Sequence, residues 1–174
     1  MTPPKIFLMT FFSVILSVCD IVESNAGGGP TTPETCMNMK PKHGVEPQSD
    51  PSPYTIYSSK SEVKAGETVK LQICSSKEKI KGFYVQGRKM DFMKETAPMG
   101  SFMLEEGSEK NSKLVSCSGG IQNTITHTNN NPKEHVNFIW NAPKEPGTYV
   151  IVCTIAKNGA TFWVNETSMK ITVI

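Results

Sequence analysis

The sequence has little excess charge of either sign and no long run of basic residues. Its 18 Lys and Arg residues nearly balance 16 Asp and Glu residues, which gives a formal net charge of +2. This charge is too small to imply nucleic-acid binding, because nucleic-acid-binding domains carry a pronounced basic patch or stripe. A composition of 37% hydrophobic and 20% charged residues is ordinary for a globular protein. A length of 174 residues favours one domain.

The sequence also lacks the short motifs that identify common enzyme classes. It contains no GxSxG elbow, HExxH helix, phosphate-binding loop or dinucleotide-binding glycine fingerprint. No nucleophile or acid lies at a diagnostic position, so a structural, hydrogen-bonding role is favoured for His127. No CxxC and no paired Cys/His spacing is present, which disfavours a metal at His43. We therefore expect a protein that is not an enzyme and that has no cofactor or metal site.

One long apolar run is present, and it lies near the start of the chain. Residues 6–19 follow Lys5 and are almost entirely apolar. A basic start and an apolar run of about 14 residues are typical of a secretory signal peptide, whereas a membrane span needs about 20 residues. We expect a signal peptide over residues 1–26, with cleavage anywhere from 19 to 26, and a single domain over residues 27–174. The mature chain is expected to be secreted and extracellular, with no membrane span.

Secretion changes how the cysteines are interpreted, because the extracellular compartment is oxidising. Cys19 is expected to leave with the signal peptide, and Cys36, Cys74, Cys117 and Cys153 remain. An even number of cysteines in a secreted chain suggests two disulfides. Four cysteines allow three pairings, and their spacing does not choose among them.

Alternating apolar and polar residues predict strands in the mature chain. The clearest run is 136–141, which is followed after a Pro-Gly turn by the Val- and Ile-rich run 147–153. The run 68–74 alternates in the same way, except that Cys74 is out of phase. Either Cys74 ends the strand at a bulge or it lies on the other face. Asn158-Gly159 between β-rich runs predicts a hairpin. About eight short strands without convincing helical periodicity imply a two-sheet antiparallel sandwich.

The segment 27–53 differs from the rest because it is rich in glycine and proline. That composition disfavours a helix or a central strand. We expect an extended segment that lies over the domain and is pinned by Cys36.

Several short motifs occur in a specific order between Cys36 and Trp163. They are Cys36, Pro41-Lys42-His43-Gly44, Gln48, the run 82–88, Gly100-Ser101-Phe102, Cys117, Thr126-His127, the run 138–143, Gly147 and Thr161-Phe162-Trp163. In this order they resemble the reeler domain, the module at the start of reelin and the spondins. The resemblance implies an all-β fold, an immunoglobulin-like antiparallel β-sandwich with long loops.

The resemblance also implies how the cysteines pair. Reeler domains tie the N-terminal segment to the long middle region, which implies a Cys36–Cys117 disulfide. The leftover pair is then Cys74–Cys153, which would join two predicted strands. Each bridge is expected to stabilise the fold by about 2–4 kcal/mol through restriction of the unfolded chain.

A signal peptide followed by one such domain resembles the small secreted insect defence proteins, which include the noduler-like immune proteins. This layout implies an innate-immune protein that binds microbial surfaces or haemocytes and has an antibacterial and antifungal role. The implied partner is a microbial surface glycolipid or glycan, and no nucleic-acid partner is expected. The alternative is an extracellular-matrix adhesion module that binds glycosaminoglycans, as in the spondins.

Basic residues in and beside the predicted strand 82–88 are the candidates for ligand binding. They are Lys77, Lys79, Lys81, Arg88 and Lys89. Together with neighbouring apolar residues they would form a surface able to contact a phosphorylated microbial glycolipid. The competing interpretation is a solvated strand edge, where lysines discourage pairing with other chains.

Two further features have competing interpretations. Phe138, Trp140, Phe162 and Trp163 could stack on sugars, but their positions in alternating runs favour burial in the core. The sequence around Asn165 is the only N-x-[ST] sequon and predicts N-glycosylation at an exposed site. The competing interpretation of Asn165 is an unoccupied strand residue.

Overall fold

A computed structural model describes residues 26–90 and 97–174. The predicted signal peptide therefore lies outside the described residues, apart from Ala26. Within the described residues, one short helix and eleven strands follow in order. They are α1 (Pro33–Asn38), β1 (Thr55–Ser58), β2 (Glu62–Val63), β3 (Thr68–Cys74), β4 (Gly82–Lys89), β5 (Ser101–Met103), β6 (Ser112–Val115), β7 (Thr124–His127), β8 (His135–Asn141), β9 (Gly147–Asn158), β10 (Thr161–Thr167) and β11 (Ile171–Val173).

The strands form two sheets, which confirms the predicted immunoglobulin-like sandwich. One sheet has four strands in the order β1-β3-β8-β5. The other has seven, in the order β2-β11-β9-β4-β7-β6, with β10 also paired to β9. All pairs between these strands are antiparallel except β2 with β11. The predicted hairpin at Asn158-Gly159 is confirmed, because β10 turns back onto β9 there.

Aromatic residues from both sheets fill the space between them. Phe102 and Phe138 pack edge to face, with ring centroids 5.8 Å apart, and Trp140 lies 5.9 Å from Tyr149. A side chain at Gly87 would not fit, since its Cβ would lie 2.5 Å from Nε1 of Trp140. The core interpretation of the aromatic residues is confirmed, because all four are buried and none is available to stack on a sugar. These four are Phe138, Trp140, Phe162 and Trp163.

The outer face of the seven-stranded sheet is covered by a segment that we call the N-terminal layer, residues 26–48. Thr154 donates to the carbonyl of Met39 at 2.7 Å, and Gln48 N–H donates to the carbonyl of Phe162 at 2.9 Å. The predicted placement of this segment over the domain is confirmed. The prediction that it contains no helix is wrong, because α1 lies within it. Pro33 is tolerated as the first helical residue because a backbone N–H at that position would have no partner within the helix, and Thr32 caps the helix.

One of the two expected disulfides is present in the structure. The structure contains a Cys36–Cys117 bridge, with 5.5 Å between the Cα atoms, which ties the N-terminal layer to the loop after β6. The expected Cys74–Cys153 bridge is not formed, and both thiols are free. Cys153 is buried in the core between the sheets, whereas Cys74 ends β3 on the opposite side from the buried residues of that strand. The phase mismatch in the run 68–74 therefore reflects a side chain that points away from Cys153.

Candidate functional site

A cavity of about 340 Å³ lies between the N-terminal layer and the seven-stranded sheet. It is situated where β4 begins and where β7 and β9 end. Its apolar lining comes from both walls, and the residues are Pro30, Met39, Pro41, Phe83, Tyr84 and Ala156. Its volume lies within the range of about 300–1,000 Å³ that is usual for small-molecule sites.

The cavity brings together two motifs that are 84 positions apart in the sequence, since both His43 and His127 line it. Thr126 donates to the carbonyl of Phe83 at 2.8 Å and accepts from the backbone N–H of Gly29 at 2.9 Å. The backbone N–H of Phe83 donates to Nδ1 of His127 at 3.1 Å. Nδ1 also lies 3.1 Å from the carbonyl oxygen of Phe83, so the ring is held against the backbone at the start of β4. These bonds are consistent with the predicted structural role of His127. The residue also lines the cavity.

His43 lies edge-on against Phe162, with ring centroids 5.2 Å apart. Its Nδ1 atom is buried and has no hydrogen-bond partner among the described residues. Burial lowers the pKa of His43, and a backbone hydrogen bond at Gly159 acts in the opposite direction with a smaller effect. The ring therefore favours its neutral form more than a solvated imidazole does.

The charge around the cavity has one sign. Lys42 and Lys81 line it, and the described lining contains no Asp or Glu. Lys42 pairs with Glu34 at 3.2 Å, but both side chains are well exposed, so this pair is weak. The buried ammonium of Lys133 supports the adjacent loop by donating to the carbonyls of Asn131 at 2.8 Å and Asn129 at 3.0 Å. Anionic ligands are therefore favoured over cationic ones.

The sequence model of the Reeler domain matches residues 34–174, which include most of this cavity's lining. The chain belongs to the Reeler domain family. It is 30% identical over 170 residues to "Putative defense protein 3" of Antheraea mylitta, with 96% of this chain and 98% of that protein covered. It is 39% identical over 155 residues to "Putative defense protein Hdd11" of Hyphantria cunea, with 86% and 88% covered.

A solved structure supports the same fold. The human F-spondin reeler domain superposes with a TM-score of 0.60 at 12% identity, covering 75% of this chain and 95% of that one. At this identity the likeness concerns the fold alone. This chain is thus a Reeler domain protein whose similarity to the proteins of Antheraea mylitta and Hyphantria cunea extends over most of their length.

The predicted basic surface of this Reeler domain is not assembled as expected. Lys77, Lys79 and Lys81 are exposed in the β3–β4 connection, and Lys79 pairs with Glu134. Arg88 is 1% exposed and is therefore not a surface ligand-binding residue.

The fifth predicted residue of that surface, Lys89, lies at the far end of β4, where it pairs with Glu145. At about 3.3 Å per residue it lies roughly 26 Å along the strand from Lys81. Of the five predicted basic residues, the cavity includes Lys81. The strand therefore separates these basic residues instead of collecting them on one surface.

Asn165 is exposed and lies at a β-bulge in β10. The pairing with β9 shifts between Trp163 and Glu166, and Asn165 has a positive φ of 63°. This geometry directs the residue out of the regular ladder. Exposure agrees with the requirement for glycosylation, and occupancy of the site stays a prediction.

Residues 26–90 and 97–174 contain no group of three or more His, Cys, Asp or Glu side chains that could hold a metal ion. Within the same residues, no helix is both long and apolar enough to cross a membrane.

Proposed function

We propose that this Reeler domain protein is a secreted innate-defence protein that binds microbial surfaces and contributes to antibacterial and antifungal defence. The observation that carries this proposal is the similarity to "Putative defense protein 3" of Antheraea mylitta, which covers 96% of this chain and 98% of that protein. A match over nearly the whole of both chains supports a shared role more strongly than a match to one module of a larger protein.

The proposed mechanism is recognition by a rigid surface and requires no catalytic step. The Cys36–Cys117 bridge and the buried contacts of the N-terminal layer hold the surface around the cavity in one conformation. Such preorganisation reduces the entropy lost on binding. The cations at the cavity favour the negatively charged groups of a microbial envelope or a haemocyte surface.

A co-sedimentation assay tests this role. The secreted, oxidised protein is incubated with bacteria, yeast or haemocytes, and the fraction that sediments is compared with that of the human F-spondin reeler domain. That domain is a suitable control because it shares the fold at 12% identity. We expect greater sedimentation with bacteria or yeast, together with slower microbial growth. Sedimentation equal to that of the control with every cell type would refute the proposal.

The matrix-adhesion alternative receives less support from the structure. Its proposed glycosaminoglycan site used Arg88, which is buried, and Lys79, which is paired with Glu134. Lys77 and Lys81 are the two exposed lysines that remain of this proposed site. Two exposed positive charges attract a polyanion such as heparin only weakly.

A further inference from the structure

We infer that the cavity beneath the N-terminal layer binds a small anionic amphiphile. The carboxylate or phosphate head of this ligand would lie beside Lys81, and its apolar tail would lie along Pro30, Pro41 and Ala156. This assignment does not depend on the proposed defence role, since it follows from the charge, the size and the lining of the cavity.

The polar groups of the cavity favour an anionic head. Among the described residues, no carboxylate pairs with the ammonium of Lys81, and no hydrogen-bond partner is found for the side chain of Asn130. Ammonium and amide N–H groups are both donors, and a carboxylate or phosphate accepts from both of them.

The apolar groups of the cavity favour a tail. Pro30 and Pro41, both partly exposed, contribute apolar surface from the N-terminal layer, and Ala156 contributes it from β9. Inorganic phosphate would leave this surface in contact with water, and an uncharged hydrocarbon would leave Lys81 without an anion. A ligand that has both parts satisfies both walls. The volume of about 340 Å³ restricts it to a short chain and excludes a complete glycolipid.

Glycines in the N-terminal layer position the cavity wall. Gly28 has a φ of 109°, and a Cβ atom there would lie 2.5 Å from the carbonyl oxygen of His127. A Cβ atom on Gly29 would collide with the ring of Tyr84. The close approach of backbone to sheet therefore depends on both glycines, and it places the wall directly over the ends of β4 and β7.

Calorimetric titration of the secreted, oxidised protein tests the assignment. The probes are decanoate and decyl phosphate, with decanol as the tail-only control and inorganic phosphate as the head-only control. We expect at least one amphiphile to bind about tenfold or more tightly than either control. Preference for decanoate would indicate a free fatty carboxylate, and preference for decyl phosphate would indicate a phosphorylated lipid. No binding of either amphiphile, or equal binding of decanol, would overturn the assignment.

Charge reversal identifies the binding location. Lys81→Glu is expected to weaken amphiphile binding about tenfold or more, because it places a carboxylate beside the head group. Lys77→Glu is the matched control, since it has the same charge change in the same exposed connection and does not line the cavity. Equal weakening by both variants would show nonspecific charge attraction and would contradict the assignment.

Two further measurements keep the test independent of any one variant. Ala156→Leu is expected to abolish binding by filling the cavity, with the fold checked by near-ultraviolet circular dichroism. In the unsubstituted protein, the ring signals of His127 should shift on addition of the amphiphile, while those of exposed His135 on β8 should not. Shifts at His135 alone would contradict the assignment.

Amphiphile binding without sedimentation on microbes would refute the defence role and leave this assignment intact.

Discussion

The guanidinium of Arg88 lies between β4 and the N-terminal layer, at 1% exposure. It donates to the carbonyls of Cys36 at 2.5 Å and Met37 at 3.1 Å, and its Nε donates to Oε1 of Gln86 at 3.0 Å. These carbonyls belong to α1, whose last turn has no basic residue of its own. The side chain therefore satisfies helix carbonyls that would otherwise be buried without a donor.

Arg88→Lys is expected to lower the free energy of unfolding by about 2–4 kcal/mol. A lysine ammonium lacks the planar fork that contacts both carbonyls and Gln86 at once, and buried acceptors without donors are costly. Urea unfolding measures the loss. Lys77→Arg, an exposed exchange of the same two residue types, should change the free energy by less than about 0.5 kcal/mol. A loss below about 1 kcal/mol for Arg88→Lys would contradict the structural role.

Glu166 gives a prediction about pH. Burial raises the pKa of its carboxyl above the ordinary value of 4.5. A raised pKa in the folded state means that the folded protein holds this proton more tightly, so the stabilising effect is present at low pH and is lost as pH rises through the folded pKa. Glu166→Gln removes this dependence and preserves the Asn165 sequon.

The stability of the unsubstituted protein relative to Glu166→Gln should therefore fall as pH increases from about 4 to about 7. Urea unfolding of both proteins across this range measures the difference. A difference that stays constant or increases with pH would show that burial does not control this carboxyl.

Single residues also show where sequence patterns succeed. The alternation around Trp140 correctly predicted a core side chain, because strand period alone determines which face a residue occupies. The same pattern placed Cys74 out of phase but left open whether it ends the strand at a bulge or lies on the other face. The structure places it opposite the buried residues of β3. Arg88 was misassigned to the surface because α1, which is 50 residues earlier in the chain, buries it. The sequence of β4 alone does not show that α1 packs there.

At the scale of elements, the Cys36–Cys117 bridge holds the N-terminal layer on the sheet. Replacing both cysteines by alanine should lower the free energy of unfolding by about 2–4 kcal/mol, because the bridge closes a loop with a sequence separation of 81. Hydrogen exchange should increase most in α1, while β3 and β8 stay protected.

Cys74→Ala is the matched control for that experiment, since Cys74 is a free thiol. It should leave exchange in the N-terminal layer unchanged. Equal exchange in α1 with and without the bridge would indicate that the noncovalent contacts alone hold the layer.

Element prediction succeeded where the signal was local. The runs 68–74 and 136–141 are β3 and β8, and the Asn-Gly hairpin follows from turn chemistry. The short helix α1 escaped prediction because proline was treated as a helix breaker, although it is tolerated at the first helical position. The order of strands in the two sheets rests on long-range pairing that no local pattern reports.

At the scale of the whole molecule, the cavity combines residues from the N-terminal layer, β4, β7 and β9. The motifs containing His43 and His127 were both visible in the sequence, but their shared location was not, since it requires the complete sheet. The family and the fold could be predicted from motif order. The cavity and the separation of the basic residues could not, because they depend on how distant segments pack.

The central claim, that the protein recognises microbial surfaces, is tested most directly by binding of the secreted, oxidised protein to purified components. The panel contains lipopolysaccharide, β-glucan, peptidoglycan and heparin, each at low and high salt. We predict binding to at least one microbial component that persists at high salt, because salt screens charge attraction but not apolar contacts. Binding to heparin alone, lost at high salt, would contradict the claim and indicate generic attraction of exposed lysines.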